Sequence, residues 1–378
     1  MQNAPIYSKP LLSYRTTSVK KKAWKKALDA FEAGKYAEVF DQLLVYLNPK
    51  EITVKNENGH KEIIIPHGCA QLHITITPDR YELKVPFLRT DNPSIGLMHQ
   101  IAKLNMYELA LAQVNYQNSQ FFFYYESPLA LCHPNKVYDT MKQMATKADV
   151  YAEQWARELD ATLIETPFTY PLASNKKDQA WPLFQQQLSQ LEQYISYFEQ
   201  KHWESHVWVI FSVTLRYLDF ALNPRGRLRR EILGDVEEFT EDTPSREKAR
   251  RAADLLAKYR AFTQEEFLSC IYTPHLLFRD RPEAELSAIQ KDLNLCHDYL
   301  VKETPGEIYS SIYILLFWFR LPYYYDLPPF LKQCVVHHML KASGKPWDKA
   351  YQKLWKAIQE VRRMRTLPNG FWATLFNH

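Results

Sequence analysis

A cysteine and a histidine stand side by side at Cys132-His133-Pro134. A thiol near a helix N-terminus has a lowered pKa and can act as a nucleophile. Adjacent side chains diverge, however, and no partner acid accompanies this pair. The spacing fits a helix start better, with His133 as the cap and Pro134 in the first turn. In HWESH, His202 and His206 are four apart, a spacing that on one helix face can chelate zinc. Glu204 is in the middle of that motif, unlike HExxH, and no third ligand lies nearby. His337 and His338 would diverge by about 100° on a helix, which makes joint ligation poor. These patterns compel no catalytic residue, metal site or cofactor, and the balance leans towards a non-enzyme.

The sharpest charge feature is RGRLRRE followed by DVEEFTED. Arg225, Arg227, Arg229 and Arg230 are candidate anion contacts, since guanidinium clusters hold phosphate. The neighbouring carboxylates would repel the same ligand, so a self-paired surface or a dipolar docking face is the plainer expectation. Lys20, Lys21, Lys22, Lys25 and Lys26 ring an amphipathic first helix with Trp24 and solvate its outer face. Arg216 and Asp219 sit three apart in the apolar stretch Val207 to Leu222, which predicts buried charges paired locally or across a bundle. The formal net charge is only +4, which argues against nucleic acid as the partner.

These residues must be positioned by two kinds of element. From Lys20 the apolar spacing is helical, and a second stripe runs through Val39, Phe40, Leu43, Leu44 and Leu47. The period then changes from 3.6 to 2 in EIIIP, QLHITIT and YELKV, read as strands over 62–66, 71–77 and 81–85. Asn92-Pro93 is read as the start of a helix whose apolar positions are Ile95, Leu97, Met98, Ile101, Ala102 and Leu104. ELALAQVNY and QFFFYYE form a hairpin, and a helix runs from about Asn135 to Leu159. The fold class expected is α+β: an α-β-β-β-α-β-β-α antiparallel-sheet domain followed by an all-α domain of seven to nine helices with no sheet. The boundaries are an N-terminal extension over 1–19, the α+β domain over 20–165, a linker over 166–179 and the helical domain over 180–378. The apolar run IYILLFWF (312–319) is too short to span a bilayer and reads as a buried helix. Five scattered cysteines without CxxC fit reduced thiols, and with no apolar leader the chain reads as cytoplasmic.

The succession of elements through PHGCAQLHITITPDRYELKVPF and FFFYYESPLALCHP resembles the YbjN-like and type III secretion chaperone-like (CesT/Tir-chaperone) fold, a bacterial-type module. The resemblance covers roughly residues 25 to 160, in element order and hydrophobic pattern. It implies a non-catalytic module that binds polypeptide, often as a dimer. The helical region carries no such resemblance.

One strand bears on function directly. In QFFFYYE, Phe121, Phe123 and Tyr125 point one way and Phe122 and Tyr124 the other. An antiparallel sheet with a wet face carries polar residues there. Aromatics on both faces predict cover on both sides, from the rest of the chain, a sister subunit or a client peptide. Phe122, Tyr124 and Tyr116 are therefore candidate partner contacts, and Tyr323, Tyr324 and Tyr325, in an aromatic and proline-rich link, are a second group. The expectation is an adaptor or chaperone-like protein holding a polypeptide through an apolar sheet or helix surface. The alternatives are a nucleic-acid-associated accessory protein using the basic clusters, or an enzyme whose site is not visible in sequence.

Overall fold

The computed structural model describes residues 3–12, 19–57, 59–164, 169–170, 172–240, 242–274, 276–279 and 281–364. Positions 166–168 and 171 of the expected linker, and 1–2 and 13–18 of the expected extension, lie outside them. The chain divides into two compact units. A sheet unit comprises Tyr14–Pro171 with Tyr272–Asp280, and a helical unit comprises Met1–Ser13, Leu172–Ile271 and Arg281–His378.

The sheet unit opens with α1 (Lys21–Glu32) and α2 (Tyr36–Leu47), followed by β1 (Thr53–Glu57), β2 (His60–His67), β3 (Ala70–Ile76) and β4 (Arg80–Arg89). Next come α3 (Ile95–Lys103), a π-helical turn (Leu104–Glu108), β5 (Gln113–Gln117), β6 (Gln120–Pro128), α4 (Pro134–Glu158) and β7 (Thr162–Leu163). The strands form one antiparallel sheet in the order β1-β2-β3-β4-β6-β5, with β7 beside β4. The alternation in β3 and β4 is realised as expected: Leu72, Ile74, Tyr81, Leu83 and Val85 are buried in the core that α4 covers with Val137, Met141, Met144 and Ala148. The β5–β6 turn places Asn118 and Ser119 at φ 51° and 60°, the left-handed pair of a two-residue hairpin.

Several local expectations need correction. Strand β1 (TVKNE) is exposed along its whole length, so it shows no alternation to read. Pro66 does not end β2; it lies opposite Gln71, beyond the last β1 partner at Ile64, where its missing N–H leaves no ladder bond unmade. Ser94 rather than Asn92 caps α3, its hydroxyl accepting from the Leu97 N–H at 3.2 Å. The front of ELALAQVNY is the π-helical turn and a loop, and only Gln113–Gln117 pairs as strand. At the β2–β3 turn Gly68 has φ +57°, and a Cβ there would fall 1.8 Å from the Asp149 carboxylate that accepts the Cys69 N–H.

The helical unit contains α5 (Ser174–Gln200), α6 (Glu204–Leu222), α7 (Gly226–Glu238), α8 (Ser245–Arg260), α9 (Gln264–Ser269), α10 (Leu286–Glu303), α11 (Glu307–Tyr324), α12 (Pro329–Ala342) and α13 (Trp347–Arg362). Apolar nearly all round, α6 is buried from Val207 to Leu222 and packs on α5 and α11. Thr263 and Glu266 form the expected capping box of α9. The tyrosine-rich stretch read as a link belongs in part to α11, which runs to Tyr324 through Pro322. Residues Asn3–Leu12 join this unit: Ala4 donates to the Lys345 carbonyl at 2.7 Å, Leu11 donates to the Ala221 carbonyl at 2.9 Å, and Tyr7 is buried.

Residues 272–280, read as part of an all-helical region, are used differently. Thr273–Pro274 (β9) pairs with Thr169–Tyr170 (β8), so the region does contribute a strand. The Leu277 and Phe278 side chains join the core of the sheet unit, and their N–H groups donate to Nδ1 of the buried His67 at 3.0 and 3.3 Å.

Candidate functional site

The helix formed by α3 and its π-helical turn carries two apolar stripes. Leu97, Ile101 and Leu104 are buried against the sheet unit's core. Ile95, Met98, Ala102 and Met106, spaced 3, 4 and 4 apart, are all exposed. Exposure reaches 90% for Ile95 and 71% for Met106, and Tyr107 and Leu111 beside them are also exposed. An amphipathic helix with one partner needs only one such stripe. The second, with two flexible methionines, is an apolar stripe that faces solvent. The π-helical turn widens the helix at Met106 and Tyr107, a distortion found most often at functional positions.

Next to this stripe, β5 is a sheet edge. Its outward backbone groups are blunted at one place: Asn105 donates from Nδ2 to the Val114 carbonyl at 3.1 Å and accepts the Val114 N–H at 2.7 Å. The side-chain amide takes the place of a neighbouring strand, which is one way that sheets suppress edge pairing. Strand addition at this position of the edge is therefore disfavoured. Tyr116, 39% exposed, lies over Phe121 at 4.6 Å and donates its hydroxyl to the Thr90 carbonyl at 2.9 Å.

The doubly aromatic strand is β6. Phe121 and Phe123 are buried in the core, with Phe123 4.9 Å from the Phe87 ring. A bulge at Phe87 shifts the β4–β6 register, so Phe87 and Leu88 are both buried. On the other face Phe122 is 6% exposed and belongs to no core cluster. The Lys84 ammonium lies 4.2 Å from its ring centroid, and Tyr124 packs edge-on at 6.2 Å. Tyr124 donates its hydroxyl to Glu126 at 2.5 Å, and burial together with that carboxylate raises its pKa. Part of the cover on this face is thus local and polar.

The sequence-derived chemical candidates fall as follows. His133 caps α4 and accepts from the Asn135 N–H at 3.3 Å, with Pro134 in the first turn. Cys132 is fully buried, and burial pushes its thiol up to about 11, the wrong direction for a nucleophile. His202 and His206 do not share a helix face: His202 has φ 56° in the turn before α6, while His206 packs among Phe198, Trp203 and Tyr309. Among the described residues no group of three or more His, Cys, Asp or Glu could hold a metal.

Arg225 is buried and donates its backbone N–H to the Cys270 carbonyl. Arg227 pairs with Glu231 at 3.6 Å and Glu266 at 3.4 Å and lies over Phe262, whereas Arg229 and Arg230 are half-buried on α7. Glu241 of the acidic run lies outside the described residues. Tyr323 is buried, Tyr324 is 40% exposed and Tyr325 is half-buried. Arg216 and Asp219 do not pair with each other. Asp219 instead binds Arg281 at 2.6 Å, a partner 62 positions away and beyond reach of any local reading. In the sheet unit, Lys20, Lys21, Lys22 and Lys26 line a groove of about 540 Å³ with Gln42 and Val45 of α2.

Two imidazoles, His206 half-buried and His338 buried, give the helical unit a pH signature. Burial pushes His206 and His338 down to about 4, His338 being stacked on Trp318 and further lowered by His337, Lys341 and Lys356. Glu360 faces it at 3.7 Å. Because their folded pKa values lie below the ordinary 6.5, both groups favour the folded state at pH above 6.5. That contribution is lost as pH falls from 6.5 towards 4. Urea-unfolding midpoints should therefore drop across this window, and His338→Gln should flatten part of the drop.

The outward stripe of α3 and the half-buried Arg320 of α11 are what the sequence reading missed. The first was present as Ile95-Met98-Ala102-Met106 spacing but was merged with the buried stripe. No known family model matches the chain, and no curated protein matches it either.

Proposed function

We propose that the chain is a non-catalytic, polypeptide-binding adaptor whose contact surface is the outward face of α3 and its π-helical turn. The observation that carries this reading is the exposed stripe Ile95, Met98, Ala102 and Met106 with Tyr107. Apolar area of this kind contributes about 25 cal/mol per Å² when a partner covers it, before ordering costs. The resemblance to the YbjN-like and secretion chaperone-like fold supports a polypeptide as the class of partner. Five free, buried cysteines suit a reducing compartment, and no described helix is long and apolar enough to cross a membrane.

The test uses the full chain with Met98→Glu and Met106→Glu together. Both sites are exposed, so stability should change by less than about 0.5 kcal/mol. Quantitative mass spectrometry of co-purifying proteins should show at least one partner lost from the variant. Identical recoveries from the two chains would overturn the proposal. A competing reading, nucleic-acid association, is favoured only by the lysine-lined groove of α1 and α2. Steeply salt-dependent DNA or RNA binding that survives the methionine changes would select it.

A further inference from the structure

The helical unit buries one guanidinium group and half-buries a second, and among the described residues neither has an ion partner. Arg216, near the middle of α6, is 8% exposed, and its Nε and Nη1 meet no hydrogen-bond partner. Arg320 of α11 is half-buried, and its Nε is likewise unpartnered. None of the ion pairs among the described residues involves either. Removing a charge from water is costly unless an opposite charge meets it. Here aromatic faces do, with the Tyr324 hydroxyl beside Arg216. The Arg216 guanidinium lies 5.3 Å from the Tyr323 ring, and that of Arg320 lies 5.3 Å from Tyr324 and 5.5 Å from Phe317. The two tyrosine rings meet at 4.9 Å and 89°, so the arginines are held by adjoining residues of one helix.

The surrounding charges strengthen the point. Burial is the main influence disfavouring charge on Arg216, Arg320 adds to it, and the hydroxyls of Tyr324 and Tyr323 act in the opposite sense. Asp219, one turn along α6, is matched by Arg281, and Glu237, which reaches Tyr323 electrostatically, is exposed on α7. Among the described residues two positive charges are left over. The buried Tyr323 hydroxyl also lacks a partner, so Arg216, Arg320 and Tyr323 together present four unsatisfied polar atoms. Exposed Tyr324 marks the side open to solvent.

We propose that Arg216, Arg320, Tyr323 and Tyr324 form a binding site for a dianionic phosphate group, carried by inorganic phosphate or a small phosphate monoester. Two fixed guanidiniums match a double negative charge, and phosphate oxygens accept the unpaired donors. Aromatic packing holds the forks in place before the ligand arrives.

The experiment measures thermal unfolding of the full chain in inorganic phosphate, glycerol phosphate, acetate or chloride at matched ionic strength. A ligand at about a hundredfold its Kd should raise Tm on the order of 5–10 °C. Arg216→Met and Arg320→Met should each abolish the rise. A rise with inorganic phosphate assigns the free ion, and a rise with glycerol phosphate alone assigns an ester. In chloride, Arg216→Met should unfold at the same or a higher temperature, because it deletes a buried charge that has no ion partner. The proposal is overturned if neither phosphate compound raises Tm, if acetate does so equally, or if Arg216→Met responds like the parent. It is also overturned if Arg216→Met loses several degrees in chloride, since its charge would then be balanced within the fold.

Discussion

Asp219→Asn should destabilise the helical unit by about 3–5 kcal/mol, visible as a lowered urea midpoint at unchanged slope. Asp219 is fully buried and its Oδ2 accepts from Arg281 Nη2 at 2.6 Å, while Arg281 is itself 8% exposed. Arg281 also donates to the Pro322 carbonyl, which ties the ion pair to the end of α11. Without the carboxylate, Arg281 would be a third cation in a region where Arg216 and Arg320 already lack ion partners among the described residues. The cost belongs to the stranded charge more than to the lost bond. A double variant, Asp219→Leu with Arg281→Met, should accordingly recover most of the loss, because apolar groups of similar volume replace buried ion pairs at little cost. A single-variant cost below about 1 kcal/mol would mean that water reaches Arg281 in the folded state.

That ion pair also marks where sequence reading stops. Periodicity located α6 and its two charges, because a helix that is apolar all round must be central. It left pairing open between a local one and one across the bundle, and could not name the partner of Asp219, which arrives from another segment. The same limit applies to residues 272–280. Nothing local in TPHLLF announces that the Leu277 and Phe278 N–H groups will meet His67. Local rules succeeded where the chemistry is local. His133 caps α4, Thr263 and Glu266 form a capping box, and Asn118-Ser119 turns a hairpin. They failed at β1, which is exposed throughout and so carries no alternation. They failed again at α3, where two stripes on opposite faces look like one apolar helix until the buried face is known.

Phe123→Ala should cost about 3–5 kcal/mol, and Phe122→Ala, one residue away on the same strand, distinctly less. Phe123 is fully buried, its ring 4.9 Å from Phe87, and it faces Val85 and Val114 across the ladder. Deleting it opens a cavity lined by packed apolar side chains that cannot follow. Phe122 is nearly as hidden, at 6% exposure, but by different neighbours: the Lys84 ammonium at 4.2 Å and the edge of Tyr124. A lysine stem is flexible and its head remains hydrated, so these groups can collapse into the gap. What is lost is the apolar transfer of one ring and a cation–π contact of about 0.5–2 kcal/mol. Urea unfolding of the two variants checks the difference. Equal losses would show that the outer face of β6 is packed as tightly as its inner one, and the aromatic strand would then compete with α3 as the surface that another chain must cover.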